Sequence, residues 1–459
     1  MTEVQDLARF VGGASFDDLS ADAVAQLKIR VLDTLGVAIG ALDAEPIIAI
    51  RTLVDDLGGA PQAAMIGGGK TSIDRAAFVN VSLSRYLDFM DAYLAKGETC
   101  HPSDNLGAVL AASESVGGTG REFLTALAVA YQVQARLSDV APVRAKGFDH
   151  TVQGAYASAA GVAKALRLTE AQTANAIAIS GTANNALRVT RTGNLSNWKG
   201  LAYPNTAKEG TFAALLASRG ITGPELVFEG NKGFKDSIAG PFEIDWSTED
   251  LERVNMTIVK KHNAEIHSQS ALDAAMDIRS QPGFDAALVQ TVRLRTFDVA
   301  YSIIGGGEEG DKHSVRTKEE ADHSLPYLLA AALLDGRVTP RSFAPERIRA
   351  EDIQRLLAVV EVRPDDGFSA RFPAEMPASL EVILSDGTVL HSTQNSYEGF
   401  HTDPMSWNVA RAKFDAVAGR FADPQLREEI AAVVRDLDHH TVRDLCQLLG
   451  RVSTHQLER

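Results

Sequence analysis

Apolar residues recur at helical spacing through the first half of the chain. From Leu19 to Leu42 they follow Ser20, a residue suited to cap a helix, and predict one long, largely buried helix. The same period predicts helices over 74–88, 106–115, 121–140, 151–166, 169–180 and 205–219, several rich in alanine, which lets helix axes approach closely. After about Pro241 the pattern changes. Short runs of β-branched and apolar residues at 256–260, 288–297, 358–363 and 380–384 predict strands, and Ser385-Asp386-Gly387 before 388–391 predicts a tight hairpin. Helical spacing persists at 266–278 and 319–334 and takes over again from Asn408, with Asp423-Pro424 restarting a helix and Leu448–Gly450 closing the last. The expected fold is mainly α with an α+β insertion: residues 1–255 and 401–459 form a large all-helical domain built from both chain ends, and 256–400 form a smaller α+β lid domain.

With 459 residues and 45% hydrophobic content, the chain can bury the core of two or three domains. Runs of about 20 uncharged apolar residues are absent, and Glu3 and Asp6 stand where a signal peptide would be basic, so a cytoplasmic protein without membrane contact is expected. A net charge of −15 disfavours nucleic acid and anionic surfaces as partners. An anionic substrate therefore needs a locally basic pocket. Only Cys100 and Cys446 are present, too few for a disulfide framework, a four-thiolate zinc site or a cysteine-held iron–sulfur cluster. No cofactor or metal is expected.

Between two Ala-rich runs, the segment from Asp88 to Asn105 gathers two carboxylates, Asp88 and Asp91, with Lys96 and His101 into a turn-rich stretch. A helix ending near Asp91, a Gly97 loop and a new helix opening at His101-Pro102-Ser103-Asp104 would hold an imidazole at a helix N-terminus, suited to proton transfer near neutrality. Equally, Ser103 and Asp104 are ordinary capping residues. Gly147-Phe-Asp-His150 puts a second histidine at a helix start, and Arg188, Arg191 and Lys199 concentrate cations around turn residues, a candidate carboxylate-binding segment or a solvated loop. Lys260-Lys261-His262, then His267 and Gln269, stand where the second domain begins; Tyr327 offers a hydroxyl to an oxyanion or packs in the core. Three decoys are set aside. Gly69-Lys70-Thr71 lacks the upstream glycine of a phosphate loop, Gly305-Gly306-Gly307 is acidic and reads as a mobile loop, and Cys100 beside His101 does not make a catalytic pair.

The motifs Asp74–Asn80, Leu87-Asp-Phe-Met-Asp91, His101-Pro-Ser-Asp-Asn105, Gly147–His150, Leu195–Gly200, Ala264–Gln269 and Ala321–Tyr327 resemble, in order, the 2-methylcitrate dehydratase (MmgE/PrpD) family. The resemblance implies a large helical domain, a smaller lid, a homodimer and a metal-independent site between the domains. Carried over by motif, it implies Asp88, His101, His150, Lys199 and His267 as catalytic residues and Tyr327 in the site; Lys260 and Lys261 compete for the family lysine, with His262 nearby. Met90-Asp91-Ala92 departs from the Asp-Asp-Thr run of relatives and loses a hydroxyl.

Dehydrating a β-hydroxy tricarboxylate requires removal of a carbon-bound proton, stabilisation of charge on the adjacent carboxylate and protonation of departing hydroxide. The expected assignment makes His101 and His150 the base and acid and has Asp88 orient an imidazole. Lys199 and His267, with Arg188, Arg191, Lys261 and Tyr327, hold the small carboxylate substrate. Decarboxylation or epimerisation of a related di- or tricarboxylate would use the same carbanion. A non-catalytic metabolite-binding dimer is the alternative of another class.

Overall fold

Ser20 does what its position predicts: its Oγ accepts the Ala23 amide at 3.0 Å and opens a helix over Ala21–Ile39. That helix belongs to the first of two units into which the chain divides, Met1–Arg191 with Asn197–Ile258 and the chain from Met405 onward; the second holds Thr192–Ser196 and Val259–Pro404. The computed structural model describes residues 1–193 and 195–457; Asn194, inside the expected cationic segment, lies outside them. The fold is mainly α with a smaller α+β part.

The first unit contains α1 (Glu3–Gly13), α2 (Ala21–Ile39), α3 (Glu45–Leu57), α4 (Ile73–Tyr86), α5 (Leu106–Ser115), α6 (Gly120–Val140), α7 (Thr151–Ala165), α8 (Glu170–Ala183) and α9 (Trp198–Ser218), joined by Trp407–Ala418, Pro424–Arg435 and Val442–Leu449. Capping boxes at Thr119/Glu122 and Thr169/Gln172 start α6 and α8. One apolar core runs from Val4 to Val452. Close approach is literal at Gly154 of α7, where a Cβ would lie 2.4 Å from the Tyr203 ring of α9. The last helices are tied in by a buried pair, Lys413 Nζ at 2.7 Å from Asp33 Oδ1 on α2, and Lys413 also donates to the Phe89 carbonyl at 2.7 Å.

Several boundaries differ from the periodicity. The helix expected to reach Asp88 stops at Tyr86, because Asp88 takes φ +52°, a left-handed conformation that ends a helix. Beyond it, β3 (Asp91–Ala95) pairs antiparallel with β4 (Glu98–Cys100) across a turn that uses Gly97 at φ +84°, where only a loop was expected. A second small hairpin, β1 (Ala63–Ala64) with β2 (Lys70–Thr71), absorbs the Gly69-Lys70-Thr71 decoy. Helix α9 starts at Trp198, not Asn205, and runs through Pro204, which reads in sequence as a breaker but costs the helix one rung.

After β5 (Ile258–Val259), where the chain passes from the first unit to the second, α10 (Gln269–Ser280) precedes a four-stranded sheet of β6 (Val289–Thr296), β7 (Val360–Pro364), β8 (Ala378–Leu384) and β9 (Val389–Gln394), in the order β7-β6-β8-β9. Only β6–β7 is parallel. Val292 and Leu294 of β6 alternate inward and, with Val289 before a register shift, join Leu380 and Val382 in a core shared with α10 and the helix Leu325–Asp335. Gly387, at φ +89°, completes the hairpin of β8 and β9. The helix expected over 319–334 is split, because Ser324 Oγ accepts the Tyr327 amide and caps a fresh start. Residues 301–305, leading into the expected glycine loop, form one wide helical turn. Among the described residues, no helix is long and apolar enough to cross a membrane.

Candidate active site

Four chain segments of the first unit converge on a buried group of charges and imidazoles. His101 stands at the N-cap of a short turn, Pro102–Asn105, and His150 at the N-cap of α7; their ring centroids are 5.5 Å apart, edge to face. Lys199 comes from the first turn of α9, and Asp88 from the left-handed residue after α4. The Lys199 ammonium lies 3.7 Å from Asp88 Oδ2, while Arg85, one turn back on α4, contacts Asp88 Oδ1 at 3.1 Å. All five side chains are buried.

Each imidazole has an oxygen near its Nδ1. His101 Nδ1 is 2.7 Å from the Asp91 carbonyl, which can only accept, so Nδ1 carries the hydrogen and Nε2 the lone pair in the neutral ring. Asp91 is itself held by the Ser103 amide at 3.1 Å and the Tyr131 hydroxyl at 2.7 Å. His150 Nδ1 lies 3.3 Å from Asp149 Oδ1, and its Nε2 is buried without a hydrogen-bond partner among the described residues. Burial pushes the His150 pKa well below the usual imidazole value; Arg191, Arg85 and Arg188 add to this and Asp149 opposes it. Burial therefore favours the neutral form of His150, and Asp149 favours the charged one.

Arg191 Nε binds Asp149 Oδ2 at 2.6 Å. Burial alone would raise the Asp149 carboxyl, but Arg191, His150 and the Thr151 amide hold it well below the carboxylate range. Asp104 is the opposite case: burial, with Asp91 and Asp88 nearby, pushes it up to about 7 against the pull of Arg85 and Arg191. Arg85 Nε is 4.0 Å from Asp104 and so stands between two carboxyl groups. Behind His150, Tyr203 donates to Asn105 Oδ1 at 2.9 Å.

The second unit holds the remaining candidates. His267 Nδ1 lies 2.7 Å from Glu265 Oε1, its Nε2 is buried without a hydrogen-bond partner among the described residues, and its ring packs against Phe297 and Phe372. Burial would raise Glu265, yet His267, His323 and Lys260 hold it down to about 2. Lys260 is buried, whereas Lys261 is exposed and pairs with Asp273 at 3.0 Å, as His262 does at 2.7 Å. Tyr327 is fully buried and donates its hydroxyl to the Ser342 carbonyl.

Within the first unit, then, Asp88, His101, His150 and Lys199 come together, with Arg188 acting on His150 through its charge and Arg191 engaged by Asp149. The sequence reading gives no site role to Arg85, Asp149 or Glu265 and reads Asp104 as a helix cap. Asp149 and Glu265 carried a readable signal, an acidic residue one or two places before a candidate histidine. Arg85 carried none, lying inside an ordinary helical run.

Residues 5–247 match the MmgE/PrpD N-terminal domain and residues 262–439 the MmgE/PrpD C-terminal domain. The chain is 28% identical to the "2-methylcitrate dehydratase, mitochondrial" of Yarrowia lipolytica, over 95% of this chain and 87% of the relative. It is 29% identical to the 2-methylcitrate dehydratase of Cupriavidus necator, over 88% of each. It is also 28% identical to the cis-aconitate decarboxylase of Mus musculus, over 79% of this chain and 75% of the relative.

Proposed function

The chain belongs to the MmgE/PrpD family, and from that premise we propose that it is a hydro-lyase that dehydrates a small β-hydroxy tricarboxylate, 2-methylcitrate first among candidates, by side-chain acid–base chemistry without a metal. The observation that carries this reading is the pair of buried imidazoles 5.5 Å apart beside the Lys199 ammonium. One imidazole takes the carbon-bound proton; the released electron pair becomes the C=C bond as the C–O bond breaks; hydroxide leaves as water after protonation by the other group. Lys199 and Arg188 neutralise substrate carboxylates, which lowers the cost of negative charge on the neighbouring carbon. Asp88 lies against Lys199 and Arg85 and keeps both cations in place. From the second unit we assign His267 and one lysine to the carboxylates, with the buried Lys260 better suited than the Asp273-paired Lys261. Tyr327 supports the fold around its helix through the Ser342 carbonyl.

The test is incubation with 2-methylcitrate, citrate, cis-aconitate and iminodisuccinate while alkene absorbance and carbon dioxide are followed. Alkene formation from 2-methylcitrate without carbon dioxide is the expected result, and its absence overturns the reading. A second reading, decarboxylation, is favoured by the similarity to the mouse cis-aconitate decarboxylase. Carbon dioxide released from cis-aconitate would establish it. We also propose a homodimer, supported by Trp198 and Phe212 of α9, each 47% exposed; light scattering at the mass of one 49.1 kDa chain would refute it.

A further inference from the structure

Asp149 is fully buried, and its carboxylate engages Arg191 and the start of α7. Oδ2 accepts Arg191 Nε at 2.6 Å; Oδ1 accepts Arg191 Nη2 at 3.4 Å and the Thr151 amide at 3.1 Å, and faces His150 Nδ1 at 3.3 Å. Arg191 reaches further, its Nη1 to the carbonyl of Lys199 at 3.4 Å. The guanidinium thus links the residue before His150 to the turn that presents the lysine.

A neutral imidazole has two tautomers, and a carboxylate that can only accept tells them apart. With hydrogen on Nδ1, the ring donates toward Asp149; with hydrogen on Nε2, a lone pair faces a negative oxygen in a site that water does not screen. The second arrangement is strongly disfavoured as long as Asp149 stays charged. A buried carboxylate without a cation would take up a proton and stop discriminating. Arg191 supplies that cation in the forked geometry that suits a carboxylate. At the other end of the ring, His150 Nε2 is buried with no hydrogen-bond partner among the described residues, so no neighbouring group there opposes a lone pair on that atom.

We propose that Asp149, held ionised by Arg191, is the positioning residue that fixes His150 as its Nδ1–H tautomer and thereby makes Nε2 the proton-accepting atom. Its catalytic consequence rests on the dehydratase reading; the tautomer itself does not. In the reaction, the substrate C–H bond breaks to Nε2, the electron pair forms the new C=C bond as the C–O bond breaks, the leaving hydroxide takes a proton from the other acid–base group and departs as water, and the imidazolium is stabilised by Asp149 on its Nδ1 side. Arg191 then acts through Asp149 and not on the substrate.

Two measurements on the full-length protein test this. Nitrogen-15 spectra of histidine-labelled protein at pH 7.5 should show His150, assigned by its loss in H150Q, as the Nδ1–H tautomer, and D149N should convert it wholly or partly to Nε2–H. Asp149→Asn should lower kcat about 10²-fold or more, the scale of a lost acid–base group, with KM within about threefold. D149E should restore part of the rate, and R191Q should lower kcat rather than raise KM. An Nε2–H signal in the wild type, an unchanged tautomer in D149N, or an R191Q variant altered in KM alone would overturn the proposal. Should D149N fail to fold, D149E and R191Q spectra decide it. If the wild type is inert toward all four carboxylates, the functional reading fails while the spectra still judge the tautomer.

Discussion

His150 in the first unit and His267 in the second share one device and differ in how they obtain it. Both have a carboxylate on the Nδ1 side and a buried Nε2 without a hydrogen-bond partner among the described residues. For His267 the carboxylate is local: Glu265 takes the ring through Oε1 and the His267 amide through Oε2, both at 2.7 Å, so three consecutive residues close on themselves inside a sleeve made with Phe297 and Phe372. For His150 the carboxylate works only because Arg191 keeps it charged, and Arg85, Arg188 and Lys199 crowd the same volume. A short loop makes the one, a tertiary charge network the other. The first should survive distant substitutions, and the second should not.

The strongest way to break that comparison is to remove the rings. H150A should lower kcat at least about 100-fold, the lower scale for an acid–base group, while H267A should act mainly by raising KM. Steady-state alkene formation checks both, and the reverse pattern would exchange their roles. Next in size is the buried charge beneath the first unit: K413M leaves Asp33 buried without its cation and should cost about 3–5 kcal/mol in denaturant unfolding. A third test uses Asp104. Its carboxyl ordinarily titrates near 3.8 but is pushed up to about 7 in the fold, so its contribution to stability is complete below about pH 4 and is lost as pH rises through 7. D104N should therefore lose less melting temperature than the wild type between pH 5 and 8; parallel losses would show that Asp104 does not titrate there. The smallest effect is expected at the aromatic sleeve, where F372L should cost about 1 kcal/mol, the worth of an aromatic pair beyond its area, and leave H150-dependent kcat unchanged.

What could be read from the chain was local. Ser20 as a cap, the Ser385-Asp386-Gly387 hairpin and His150 at a helix start each follow from side chains acting on their own backbone within a few residues. Asp88 was named from its motif, but its left-handed backbone was not foreseen, since aspartate enters that region only when surroundings impose it, and so the helix before it was drawn too long. Lys199 is named from its motif, but the helix is expected only from Asn205, so the first turn that presents the lysine is not foreseen. Lys261 looked as good as Lys260 until burial separated them. Arg85, Asp104 and Arg191 acquire meaning only from groups that other segments bring within 4.0 Å, a long-range fact that no window of sequence contains.

The Lys413 ammonium grips the peptide oxygen of Phe89, immediately after the residue that presents a carboxylate to Lys199. Expressing residues 1–258 as a stand-alone fragment would consequently strip the reactive region of a brace contributed by the far end of the polypeptide. Dissection of this enzyme into halves should yield pieces that regain competence only when mixed.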